Sequence, residues 1–189
     1  MRKIYEKSEL RFALIWIYVV LMSAADSLSE TIGVAKIVTA PVCVGLVLIM
    51  YLWIRRNGLK EKYGICPFQE SAKQYLFFIP LMLLASTNLW WGVRLKYTPA
   101  ETALYVVSML CVGFLEEVIF RGFLFVAIAK DNIKSAIVIS SVTFGIGHII
   151  NLFNGSGMDL VNNLCQIVFA IAVGFLLVTV FYRGGSLLP

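Results

Sequence analysis

Residues 101–129 read ETALYVVSMLCVGFLEEVIFRGFLFVAIA, an almost unbroken apolar run with Glu116, Glu117 and Arg121 at its centre. About 20 such residues in a helix cross the hydrocarbon core of a bilayer. A charged side chain near the bilayer centre costs at least a few kcal/mol on insertion scales. Such groups face the interior of a helix bundle and usually do work there. The stretch therefore reads as a membrane span with a buried polar site. The chain's single histidine, His148, lies in the next apolar run. A carboxylate and an imidazole together are a common means of activating water.

Composition extends the reading to the whole chain. Of 189 residues, 60% are hydrophobic and 14% charged, and the mean hydropathy is +0.86. Soluble domains do not have this balance. The net charge of +5 belongs in loops beside a membrane rather than on nucleic acid. The expected fold is all-α, a polytopic transmembrane helix bundle of about six spans. They are placed at 11–25, 31–54, 74–91, 101–129, 135–153 and 160–182. Residues 26–30 read as a polar acidic break, and 55–73 as a polar loop. Pro41 is expected to bend the second span, and Lys36 to snorkel from near a helix end. Trp16, Trp53, Trp90 and Trp91 read as interfacial anchors. Residues 26–30 also follow the first apolar segment without a small-residue cleavage pattern, so that segment reads as a span rather than a signal peptide.

Lys and Arg set the orientation. With the N-terminus in the cytoplasm, the inner side holds Arg2, Lys3, Lys7, Arg11, Arg55, Arg56, Lys60, Lys62, Lys73, Lys130, Lys134 and Arg183. The outer side holds Arg94 and Lys96. Glu116 stands 14 residues before Lys130, and His148 stands 14 residues after Lys134. At about 1.5 Å per residue both lie roughly 21 Å from one boundary, on neighbouring antiparallel helices.

Glu117 and Arg121 are spaced i, i+4 and can pair, whereas Glu116 points about 100° away around the helix. A structural ion pair that fixes helix packing is the simpler account of Glu117 and Arg121 taken alone. Glu116 is then left less compensated, and such a carboxylate in low dielectric is a better proton acceptor than one in water. Gly113 and Gly122 would let a partner helix or a peptide come close, and Gly145 and Gly147 would leave room around the imidazole. There is no HExxH, and Cys43, Cys66, Cys111 and Cys165 have no CxxC spacing. They read as small apolar filler rather than as ligands or a disulfide. Zinc or another divalent metal is not required; if one were bound, Glu116 and His148 would be its ligands.

The segment Glu116-Glu117-Val118-Ile119-Phe120-Arg121-Gly122 fits EExxxR followed by Gly, and Phe144-Gly145-Ile146-Gly147-His148 fits FxxxH. In order and separation these resemble the first two motifs of the CAAX protease and bacteriocin-processing (CPBP, or Abi) family. Its members are intramembrane endopeptidases, related to the type II CAAX prenyl endopeptidases. The resemblance covers about 102–189 and includes Ser140-Ser141 and the Gly-Gly-Ser-Leu-Leu-Pro run. It implies that Glu116 and His148 activate the attacking water, with Glu117 and Arg121 supporting the site. It implies a catalytic core at 101–189 and N-terminal helices with a cytoplasmic loop at 1–100. The family's third motif, a His followed four residues later by Asn or Asp, is not in the chain. A further span carrying it is expected after Pro189.

The expected function is hydrolysis of peptide bonds in membrane-associated peptides of prenylated CAAX type or bacteriocin type. The partners implied are such a peptide or lipidated protein and the lipid bilayer, with no nucleic acid. The location implied is a bacterial plasma membrane. A non-enzymatic bacteriocin-immunity or scaffold protein is the alternative. A small transporter is weaker, since no paired repeat is visible.

Overall fold

The computed structural model describes residues 8–67, 79–90, 92, 96–153 and 157–187. Among them are helices and turns and no strand. Helix α1 is Ser8–Ile32, α2 is Thr39–Arg56, and a 3-10 turn follows at Glu61–Tyr63. Helix α3 is Ile79–Trp90 and α4 is Pro99–Glu116. The rod of α4 continues as a π-helix, Glu117–Phe125, and ends in the turn Val126–Ile128. Helix α5 is Ile133–Ile146, extended by a 3-10 segment, Gly147–Leu152, and α6 is Leu160–Gly184.

Five of these runs are long and apolar enough to cross a membrane: Ala13–Ile32, Thr39–Arg56, Pro99–Ile128, Ile133–Leu152 and Leu160–Gly184. The span expected at 74–91 is described only over α3; residues 74–78 and Trp91 lie outside the described residues. The all-helical, membrane-spanning architecture matches the expectation.

Several local expectations are corrected. Residues 26–30 do not break the first span; they are its last helical turns. Ser29 makes this possible by bonding its hydroxyl back to the Ala25 carbonyl at 2.9 Å. The break falls between Ile32 and Thr39, around Gly33 at φ +79° and Lys36 at φ +60°. Lys36 therefore lies in a turn rather than in a span, and its Nζ meets Asp26 at 2.6 Å. Pro41 sits in the first turn of α2, where its missing N–H is one of the helix's orphan donors, so it starts the helix instead of bending it.

The loop after α2 is also less polar than its lysines suggest. Tyr63 and Cys66 are buried, and Trp53 stacks on Tyr63 at 6.4 Å and meets Phe123 edge-on at 5.8 Å. Trp53 thus joins an aromatic cluster, while Trp16 and Trp90 are exposed as expected of anchors. The loop is tied to the end of α6. The Leu187 amide donates to the Gly64 carbonyl at 2.8 Å, and the Ser186 hydroxyl to the Cys66 carbonyl at 2.8 Å. Gly64, at φ +70°, could carry no side chain: a Cβ would lie 2.3 Å from the Phe181 ring. All four cysteines are free thiols.

The core sits around the π-helix. Leu115, Ile119, Phe120 and Leu124 pack against Ile15 and Tyr18 of α1, with Leu46, Val47 and Met50 of α2 beside them. Phe125 packs with Ala136 of α5 and with Val178 and Phe181 of α6. Burying side chains of this size removes about 1.5–3 kcal/mol each of exposure to water where water is the alternative. In lipid the gain is close packing instead.

Candidate active site

Helix α4 begins with a capping box. The Thr98 hydroxyl accepts from the Glu101 amide at 3.3 Å, and the Glu101 carboxylate accepts from the Thr98 amide at 3.0 Å. Glu101 also accepts from the Ala35 amide at 3.2 Å, which anchors α4 to the α1–α2 turn. From this fixed start the helix runs to Glu116 and then widens. A plain α-helix was expected through Glu117 and Arg121, and the π-helical register is a departure from it. Six of the nine residues from Glu117 to Phe125 are bulky and apolar, and so dense an apolar run carries no signal that separates a 3.6-residue period from a wider one. Single-turn π-bulges are frequent at functional sites. The widened ladder is braced from outside, since the Ser140 hydroxyl on α5 donates to the Phe120 carbonyl at 2.8 Å.

Arg121 is the largest fully buried side chain of the described residues, at 1% exposure. Its Nη1 lies 3.4 Å from Glu117 Oε1, and the Glu117 side chain is 26% exposed. The i, i+4 pair expected from the sequence is therefore formed. It is an ion pair at contact distance without an aligned N–H···O bond. Nε, Nη1 and Nη2 have no hydrogen-bond partner among the described residues. The guanidinium lies over a ring instead, its Cζ 4.4 Å from the centroid of Phe144. A desolvated cation over an aromatic face is held by about 2 kcal/mol.

Phe144 joins the two motifs. Its ring meets Phe120 edge-on at 5.2 Å and His148 edge-on at 5.7 Å. Glu117, Arg121, Phe144 and His148 thus form one continuous run of contacts across α4 and α5. Glu116 lies half-buried beside Leu115, outside the Glu117–Arg121 pair.

His148 is not on the α-helix where it was expected. It stands in the 3-10 extension that begins at Gly147. Gly145 also acts differently from the expectation, whereas a Cβ at Gly147 would meet only Val19, at 3.7 Å. A Cβ at Gly145 would lie 2.3 Å from Ile171 and 2.9 Å from the Ile167 carbonyl. Gly145 thus serves close approach of α6 rather than space for the imidazole. Gly174 faces back at Ser141, where a Cβ would come within 3.0 Å of Cα. Gly122 abuts Tyr63, with contacts at 3.4 Å, and a Cβ at Gly113 would meet nothing. Only Gly113 therefore keeps open space near the carboxylates.

One polar residue touching this region was passed over in the sequence. Asn163, on the first turn of α6, has no exposed surface. Its Nδ2 donates to the His148 carbonyl at 2.9 Å, and its Oδ1 has no partner among the described residues. A buried Asn on the helix next to His148 was the available signal, but Asn162 and Asn163 look alike in sequence.

Among the described residues no three His, Cys, Asp or Glu side chains come together as a ligand set. Glu116 and His148 by themselves fall short of a zinc centre's three protein ligands, so the residues present do not fit a metal cofactor.

The family model described as "Type II CAAX prenyl endopeptidase Rce1-like" matches residues 98–189. That span contains both motifs and all the side chains just described. Over it the chain is similar to a family of membrane-embedded CAAX-type proteases, the class that its motifs resemble. No curated protein and no solved structure matches the chain. With five helices long and apolar enough to cross a membrane, the chain has the make-up of an integral membrane protein, and over residues 98–189 it is similar to that protease family.

Proposed function

We propose that the protein is an intramembrane endopeptidase that cuts membrane-associated peptides of prenylated CAAX type or bacteriocin type. The observation that carries this reading is the joining of EExxxR to FxxxH by Arg121 on Phe144, with His148 at the other edge of that ring. Arg121 is in ion-pair contact with Glu117, and Glu116 stands outside that contact.

In the reaction, Glu116 takes a proton from water while the water oxygen attacks the peptide carbonyl carbon. His148 donates a hydrogen bond to the developing oxyanion or steadies the water. The C–N bond then breaks and the proton on Glu116 passes to the leaving amine. A carboxylic acid and an amine result, and Glu116 returns to its carboxylate form. Glu117 and Arg121 hold the helix in register and position the site. No step runs through a metal.

The test is cleavage of a fluorogenic prenylated CAAX peptide and of a leader-type peptide by the full-length protein in lipid nanodiscs. Glu116→Ala and His148→Ala should each abolish cleavage while both variants still insert and fold. Combined, they should lose little more than either alone, because groups acting on one water fail together. Cleavage that survives in Glu116→Ala would reject the mechanism. Protection of cells without cleavage of any peptide would assign the protein to the non-enzymatic immunity class.

A further inference from the structure

The 3-10 segment that carries His148 is held from one side by two amides of α6. Asn163 Nδ2 donates to the His148 carbonyl at 2.9 Å. One turn further along, Gln166 Oε1 accepts from Asn151 Nδ2 at 2.9 Å. His148 and Asn151 are three residues apart, as are Asn163 and Gln166. In a 3-10 helix residues i and i+3 eclipse, so His148 and Asn151 present to the same side. On α6 the i, i+3 pair also shares a face. The two spacings therefore match across the interface.

The change from α to 3-10 matters here. Within the 3-10 segment each carbonyl bonds the amide three residues on rather than four. Asn163 adds a side-chain donor to the carbonyl of the residue whose imidazole the site uses. Close contact of α5 with α6 at Gly145 and Gly174 brings the amides within reach.

We propose that Asn163, with Gln166 one turn on, is a positioning clamp that sets the placement of the His148 ring. The proposal rests on the reading that His148 acts in the site. Asn163 itself touches the backbone of His148, so it acts through that residue. Its orientation is fixed by chemistry: the opposite amide rotamer would set Oδ1 against the His148 carbonyl oxygen.

His148 is the single histidine of these 189 residues, so 15N-histidine labelling reports on its imidazole, and loss of signals in His148→Ala identifies which they are. Asn163→Leu keeps the branched shape, with bulkier ends, and removes both amide atoms. Loss of the buried, unpartnered Oδ1 is offset by the lost bond to the His148 carbonyl and by the added bulk, so the melting temperature should fall by no more than a few degrees. The ring 15N signals should nevertheless shift and broaden. Turnover should fall about tenfold to a hundredfold with little change in KM, as for a misplaced catalytic group. Gln166→Leu, at a half-buried position, should move the same signals in the same direction by less.

Unchanged ring signals in a folded Asn163→Leu protein would overturn the clamp. If that variant does not fold, unchanged signals in Gln166→Leu would overturn it equally. The two readings separate cleanly. Ring signals that respond in a protein that cleaves nothing leave the clamp standing and reject the endopeptidase. Cleavage that depends on Glu116 but ignores Asn163 does the reverse.

Discussion

Arg121 shows what a buried cation needs and how little it receives here. It has one carboxylate at 3.4 Å, one aromatic face at 4.4 Å and no aligned hydrogen bond among the described residues. Removing it in Arg121→Ala strands Glu117, and the cost should be about 3–5 kcal/mol if the pair is fully desolvated, with the partial exposure of Glu117 drawing it to the low end. The double change Glu117→Gln with Arg121→Met removes both charges and keeps the volume; its stability should lie within about 1 kcal/mol of the wild type. Glu116→Gln should leave folding intact, because Glu116 is not part of the pair. Thermal unfolding in detergent measures all three, and equal loss in Arg121→Ala and Glu116→Gln would contradict separate roles. These residues were legible because charges in an apolar run are rare and their i, i+4 spacing is explicit. Asn163 was not legible, because a neutral amide in a span costs less and its partner is a backbone carbonyl on another helix.

At the scale of the element, the α5–α6 contact decides where His148 and Asn163 meet. Ser141 and Gly145 on α5, four apart, face Ala170 and Gly174 on α6, four apart, and all four are buried. This small-xxx-small pattern lets the backbones approach in a membrane, where packing rather than water drives association. Gly145→Ala should push the helices apart, since its Cβ would fall 2.3 Å from Ile171 and 2.9 Å from the Ile167 carbonyl. The expected loss is about 1–3 kcal/mol, and the displaced α6 should reduce activity further. Gly113→Ala has open space and should gain up to about 1 kcal/mol from helix propensity. Melting temperatures of the two variants check the contrast, and similar values would show that the close approach is not real. The long apolar runs gave α4, α5 and α6 within a few residues, but misplaced the end of α1 and the start of α2, which fall at Ile32 and Thr39. The π and 3-10 segments were hidden, since residue type sets burial while neighbouring helices set the turn geometry.

For the whole molecule, two knots of hydrogen bonds define opposite ends of the bundle. At one end Asp26, Lys36 and Thr39 knit the α1–α2 turn together, and Glu101 ties that turn to the start of α4 through the Ala35 amide. At the other, the loop at Gly64–Cys66 is tied to Gly185, Ser186 and Leu187 after α6. Acidic groups gather at the first end: Asp26, Glu30 and Glu101, with Asp159 at the start of α6. Basic groups gather at the second: Arg55, Arg56, Lys60, Lys62, Lys130, Lys134 and Arg183. Moving Lys36 out of its span and into the first end adds one cation there and pairs it with Asp26 at once. The charge asymmetry survives, so the basic end should face the cytoplasm. A membrane-impermeant maleimide applied to intact cells should label a cysteine placed at Glu30 and spare one placed at Lys60. Glu30 is exposed and Lys60 half-buried, so labelling of both cysteines after the cells are permeabilised separates sidedness from burial. Ready labelling at Lys60 with protection at Glu30 would invert the topology, and the peptide would then have to reach Glu116 and His148 from the opposite face.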